Sequence, residues 1–185
     1  MRNLFKPCLA MLFTISTSVL ANDFTLSSDD ITSGKMMKKA QEFNGFGCFG
    51  SDLSPHLKWS NSPKGTKSFA ITAYDPDAPT GSGWWHWQVI NIPTTVSQIP
   101  TGAGSAKNKA MPTGSLQIEN DYGSASFGGA CPPAGHGVHR YRFKVHALSV
   151  ESIELPTNAS GALTGYMINA NTIESSMIES LYKRD

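Results

Sequence analysis

Two short stretches hold side chains that could bind an anion or act on one. The first, Asp75-Pro76-Asp77-Ala78-Pro79, is followed after Thr80-Gly81-Ser82-Gly83 by Trp84-Trp85-His86-Trp87. The second runs Cys131-Pro132-Pro133-Ala134-Gly135-His136-Gly137-Val138-His139-Arg140-Tyr141. The imidazoles of His86 and His139 ionise near pH 6.5 and offer ring donors, and a carboxylate such as Asp75 accepts one ring proton, fixes the tautomer and turns the other nitrogen outward. Proline and glycine backbone from 131 to 137 leaves little bulk in the way of a ligand oxygen, and Trp84 supplies an apolar wall. An anion with an apolar or amine-bearing tail suits such a set. Protonated imidazole would favour it, so affinity is expected to rise as pH falls from about 8 to about 6. The competing account makes His86 and His139 core side chains satisfied by their surroundings. Asp77 reads as a structural partner of Arg140 in preference to a ligand.

Other signals are weaker. His136-x-x-His139 beside Asp75 has metal-ligand chemistry, but a Gly135–Val138 loop gives no helical face to align two rings, and neither a metal nor a cofactor is called for. Arg140, Arg142, Lys144 and His146 form a basic stripe, read as a solvated strand face in preference to a surface for an acidic partner. Met36-Met37-Lys38-Lys39 reads as an exposed segment, and Asn158-Ala159-Ser160 is a glycosylation sequon by pattern only. Neither a Gly-x-Ser-x-Gly elbow nor a Gly-x-x-x-x-Gly-Lys-Ser/Thr loop occurs, so serine-hydrolase chemistry of the common kind and nucleotide phosphoryl transfer lack support.

The elements that must position these residues are mostly strands. Lys67–Tyr74 and Trp84–Ile92 read as buried core strands, so the acidic turn lies where one hands over to the next. His139–Leu148 alternates cleanly, with His139, Tyr141, Phe143, Val145 and Ala147 on one face. Phe24–Ser27 is expected as an edge strand and Leu57–Trp59 as another strand. Asn44–Gly50 is a glycine-rich loop, and 93–121 is expected to be irregular surface chain. Ile173, Met177 and Leu181 recur every four residues, which predicts a C-terminal amphipathic helix over Asn171–Tyr182. The class this implies is mainly β, an antiparallel β-sandwich with one or two peripheral helices.

Residues 1–21 read as an export signal. Arg2 and Lys6 precede an apolar stretch, Leu9–Leu20, and Val19-Leu20-Ala21 fits a cleavage site, whereas the stretch is too short and polar to span a bilayer. Residues 22–185 are then expected as a single domain, exported to the periplasm or secreted. Without Arg2 and Lys6, thirteen basic residues face fourteen acidic ones for a net charge of −1, which favours neither nucleic acid nor an anionic membrane. Of three cysteines, Cys8 leaves with the signal, and Cys48 and Cys131 are expected to be joined in an oxidising compartment.

Asp-Pro-Asp-Ala-Pro at 75–79, Trp-x-His at 84–86 and Pro-Pro-x-Gly-x-Gly-x-His-Arg-Tyr at 132–141 resemble the two signature regions of the phosphatidylethanolamine-binding protein family, which includes the Raf kinase inhibitor proteins. Ser54-Pro55-His56-Leu57-Lys58-Trp59 and Asn120-Asp121-Tyr122-Gly123 extend the resemblance over nearly the whole mature chain. The short 80–83 turn and the export signal are most similar to the bacterial branch. The resemblance implies a β-sandwich with a small anion pocket at one end, lined by Asp75, Trp84, His86, Pro133, His139 and Tyr141. It implies a binding or regulatory protein that captures phosphate or a phospholipid headgroup and meets a protein partner, with a homodimer left open. The alternative is a hydrolase acting on a phosphoester through the Asp/His/His cleft. Trp85 stands where many eukaryotic members carry a further histidine, and Cys131 where they carry glycine, so kinase inhibition does not transfer.

Overall fold

The computed structural model describes residues 23–106, 108 and 110–185; the export signal read from residues 1–21 lies outside them. The chain runs through β1 (Thr25–Ser27), a 3-10 turn (Lys39–Gln41), β2 (Asn44–Gly45), β3 (Cys48–Phe49), β4 (Leu57–Ser60), β5 (Ser68–Asp75), β6 (Trp84–Pro93), β7 (Gln98–Ile99), β8 (Leu116–Gln117), β9 (His139–Leu148), α1 (Gly161–Asn171) and β10 (Thr172–Tyr182). The order β10-β9-β5-β6-β8 forms a central antiparallel sheet, β1-β4-β7 a smaller one and β2-β3 a hairpin. The main core lies between the first two, where Phe69 and Ile71 of β5, Val89 of β6 and Phe143 and Val145 of β9 meet Leu57 and Trp59 of β4 and Ile99 of β7. β5 reads as a near-continuous apolar run because its other face is covered too. There Ala70, Ile90 and Leu148 pack under Ile168 of α1 and Ile153.

The mainly antiparallel fold agrees with the sequence reading, and four local expectations do not. The expected helix over Asn171–Tyr182 is instead the last residue of α1 followed by strand β10. A four-residue spacing is even, so it fits period 2 as well as period 3.6. The residues that are buried are the alternate ones, Ile178, Ser180 and Tyr182, while Ile173 and Met177 face outward. Ten residues of β10 pair with β9, whose backbone would otherwise be a bare edge.

The helix lies one segment earlier, in a stretch without an apolar stripe. Ser160 caps it, accepting from Leu163 N at 3.1 Å. Its buried face is Gly161, Thr164, Gly165 and Ile168, the right spacing made from small residues. They are small because Trp85 lies beneath them: a Cβ on Gly161 or Gly165 would come within 2.6 or 2.9 Å of its ring. Residues 93–121 are likewise not just surface chain, since Ile99, Ala103 and Ile118 are buried and Ser54 Oγ accepts from Gly104 N at 2.9 Å. Met37 is also buried, beside the parallel bridge from Met36 to Leu181.

The fourth correction concerns the basic stripe. Arg140, Arg142 and Lys144 are exposed or half-buried, but His146 lies under α1, its ring nitrogens 3.3 Å from Thr72 Oγ1 and 3.2 Å from Thr172 Oγ1. Burial, reinforced by the Lys144 charge, holds its pKa down to about 4 from an ordinary 6.5. The unfolded chain therefore takes up this proton near pH 6.5 and the folded one only near 4. Stability that is complete above pH 6.5 should fall by on the order of 3 kcal/mol by pH 4. Urea unfolding between pH 7 and 4 measures this. His146→Gln should remove about one proton's worth of the slope; a variant as steep as the wild type would assign the titration to other groups.

Candidate functional site

The site begins where β5 hands over to β6, with Asp75 opposite Trp84 in the ladder. The Asp-Pro-Asp turn closes on itself, Asp77 N donating to Asp75 Oδ1 at 2.8 Å. Gly83 completes the turn at φ +69°, and a Cβ there would fall 2.1 Å from the Tyr74 hydroxyl, so only glycine fits. The other oxygen of Asp75, Oδ2, accepts from His139 Nδ1 at 2.7 Å, with both side chains enclosed. Outside this pair, Arg140 donates to Asp77 through Nε at 2.9 Å, Nη2 at 2.6 Å and its backbone N at 2.9 Å. Those bonds, the side-chain ones foremost, hold the Asp77 carboxyl down to about 2. The strand alternation at 139–140 thus ties the two motifs together twice, once inside and once at the surface.

His86 is the extra residue of a bulge, for Ala73 pairs with Trp87 and Tyr74 with Trp85. A bulge lets two consecutive side chains share a face. Trp87 enters the core against Phe127, and His86 turns its ring toward Tyr122 and Tyr141. The loop after β8 wraps this point: Gly128 N donates to His86 O at 2.9 Å and Asn120 Nδ2 to Ser126 O at 2.8 Å. His86 Nδ1 donates to Gly128 O at 2.8 Å. Burial pushes the His86 pKa down, against smaller upward pulls from Gly128 O and Asp75, so the ring is neutral with a bare acceptor at Nε2. This corrects the expectation of a cationic donor.

Around these groups lies a cavity of about 190 Å³. All six residues expected from the sequence line it, Asp75, Trp84, His86, Pro133, His139 and Tyr141, and among the described residues no lysine or arginine does. Three polar atoms of that set, Trp84 Nε1, His86 Nε2 and Tyr141 Oη, are buried without a partner. Tyr141 stays protonated, its pKa pushed up by burial and then by the Asp75 charge. His139 differs from expectation, because its Nε2 does not face the cavity free but lies 2.8 Å from His136 Nδ1. Sequence reasoning missed Phe46 and Tyr122 as walls and His136 as the third member of an Asp75–His139–His136 chain. The Asn-Asp-Tyr-Gly turn could have pointed to Tyr122, whose ring stacks on Phe43 at 4.0 Å and meets Trp84 at 5.1 Å. Among the described residues no cluster of three or more His, Cys, Asp or Glu is arranged to hold a metal ion. A larger groove, about 540 Å³ between 116–121 and 155–161, offers Glu119 and Asp121 and, among the described residues, no basic side chain, which does not suit an anion.

One wall of the cavity is covalently fixed. Cys48 of β3 is joined to Cys131, with Cα atoms 6.0 Å apart, as the cysteine count led us to expect. The bond clamps the hairpin carrying Phe46 to the Pro132-Pro133 wall. Arg184 braces the same junction, donating to Gly47 O at 2.8 Å and Pro132 O at 3.3 Å.

Residues 27–183 match the family described as phosphatidylethanolamine-binding protein. The UPF0098 protein YbcL of Escherichia coli K12 is 51% identical over 173 residues, 94% of each chain. Its crystal structure, described as that of a new member of the mammalian PEBP family, superposes with a TM-score of 0.86 over 89% of this chain and 100% of that one. YbhB of the same organism is 46% identical over 157 residues, 85% of this chain and 98% of its own. LppC of Mycobacterium tuberculosis, whose name marks it as a lipoprotein, is 38% identical over 116 residues, 63% of this chain and 53% of its own.

The disulfide closes a segment of 83 residues, for which chain entropy gives about 4 kcal/mol. Cys48→Ser/Cys131→Ser should therefore lower unfolding free energy by roughly 2–4 kcal/mol, read by denaturant titration. A loss within error of zero would mean the hairpin is held without it.

Proposed function

The chain belongs to the phosphatidylethanolamine-binding protein family, and from that premise we propose that it is an exported binding protein whose cavity takes a phosphate-type anion, free or as a headgroup, in the service of a protein partner. The observation that carries this reading is that Trp84 Nε1, His86 Nε2 and Tyr141 Oη, three buried polar atoms without a hydrogen-bond partner, belong to residues lining one cavity. Each such atom costs roughly 1–3 kcal/mol if nothing ever meets it. Two of the three are donors and one an acceptor. A phosphomonoester monoanion matches that pattern, its bare oxygens accepting from Trp84 and Tyr141 and its P–OH donating to His86. The Asp75 carboxylate, whose charge already raises the Tyr141 pKa, opposes a second negative charge in the cavity. A monoanion is therefore preferred over a dianion. Phe46, Pro132, Pro133 and Tyr122 supply apolar walls for a headgroup tail. Export rests on the basic, apolar and small-residue order of residues 1–21 and on the disulfide.

Hydrolysis of a phosphoester is the second reading, favoured by one observation, the buried Asp75–His139 pair. Against it, His139 Nε2 faces His136, the Thr80 hydroxyl is spent on Gly83 O, and the Cys131 sulfur is in the disulfide.

Calorimetry with phosphate and phosphoethanolamine tests the binding reading. Affinity should be higher at pH 6 than at pH 8, because the monoanion, which keeps the P–OH that donates to His86, is populated near the second phosphate pKa of about 6 and scarce at pH 8. Tyr141→Phe and His86→Ala should each weaken binding by roughly tenfold to a hundredfold. Affinity indifferent to both variants, or rising with pH, would contradict it. Release of product from chromogenic phosphoesters, abolished by His139→Ala, would transfer the account to the hydrolase.

A further inference from the structure

A second cavity, partly open to solvent, lies on the opposite face of the central sheet, beneath α1 and independent of the anion cavity. It measures about 180 Å³ and is lined by Thr72, Tyr74, Trp85, Arg142, Lys144 and His146 from the strands, with α1 above at Gly165 and Ile168–Asn169. Strand alternation puts Arg142, Lys144 and His146 on this face, so the stripe that looked merely solvated forms one wall of a cavity.

The charges around it do not cancel. Arg142 Nε donates to Glu179 Oε2 at 2.8 Å across the β9–β10 ladder, which neutralises one cation. Lys144, half-buried, makes no ion pair or hydrogen bond among the described residues and has Met177 as its neighbour on β10. α1 contributes no charged side chain, and Thr72, Tyr74 and Trp85 are uncharged. His146 is occupied by its two threonine partners and kept neutral by burial and by Lys144, so the lysine's charge reaches the inner wall unopposed. The remainder of the wall is flat and aromatic: the rings of Tyr74 and Trp85 have centroids 4.5 Å apart, and the glycines of α1 let the helix sit close on the indole, which still lines the cavity.

We propose that this cavity is a second binding site, taking a small monocarboxylate with a flat apolar body, its carboxylate on Lys144 and Arg142 and its ring against Trp85 and Tyr74. One unopposed cation matches one negative charge, and the remaining Arg142 nitrogens suit a planar carboxylate. The volume lies below the roughly 300 Å³ at which drug-sized sites begin, which limits the ligand to about a single ring.

Amide NMR of the whole protein, titrated with sodium benzoate, tests this. Benzoate should move the resonances of Lys144, Gly165 and Asn169 saturably, and saturating inorganic phosphate should not displace it. Lys144→Met and Lys144→Gln should each weaken it about tenfold, the loss of one charge-assisted bond. Shifts that never saturate, that centre on Tyr122 and disappear with phosphate, or that are equal in wild type and both Lys144 variants would overturn the proposal.

Discussion

A carboxylate and an imidazole, Asp75 and His139, are held 2.7 Å apart where water does not reach, and the arrangement of the site follows from that pair. Breaking a buried, charge-assisted bond strands whichever partner remains, so the end of β5 and the start of β9 are fixed to one another. With that register set, Arg140 meets Asp77 outside and Tyr141 points inward beside His86. Both oxygens of Asp75 are engaged. On the binding reading proposed above, its negative charge disfavours a dianion in the cavity.

The same sheet carries two environments back to back. Asp75 and Trp84 open on the first cavity, while their neighbours Tyr74 and Trp85 line the second under α1. A bulge at His86 and small residues on α1 make this possible, one by adding a side chain to the inner face and the other by letting a helix settle on an indole. The first cavity owes its shape to parts distant in sequence. Phe46 arrives by the Cys48–Cys131 bond, and Tyr122 by the loop that folds around His86.

Much of this was legible in the sequence, and the limits have physical causes. Strict alternation in His139–Leu148 and the Asp-Pro-Asp turn between apolar runs marked where the site lies, and the resemblance to the phosphatidylethanolamine-binding protein family implied the six pocket residues. The 171–182 segment misled because spacing by four satisfies both periodicities, and only the unpaired edge of β9 decides between them. α1 was invisible because its buried stripe consists of glycine and threonine, chosen for contact with Trp85. The charge state of His86 could not be read either, since it depends on Gly128 O and on enclosure by a loop more than thirty residues away. His139 was expected to reach the ligand, but His136 intervenes, and a three-residue spacing in a glycine loop does not disclose which way two rings face.

The central claim is that His86 is held neutral, with its proton on Nδ1, so that Nε2 waits for a ligand's proton. Long-range 1H–15N correlation of the His86 ring at pH 7, without and then with phosphate, addresses this most directly. The account predicts an Nδ1–H tautomer with Nε2 as a bare acceptor in the free protein, and an Nε2 resonance that moves toward the protonated position as phosphate saturates while Nδ1 stays in place. An Nε2–H tautomer in the free protein, or an Nε2 resonance indifferent to saturating phosphate, would contradict it.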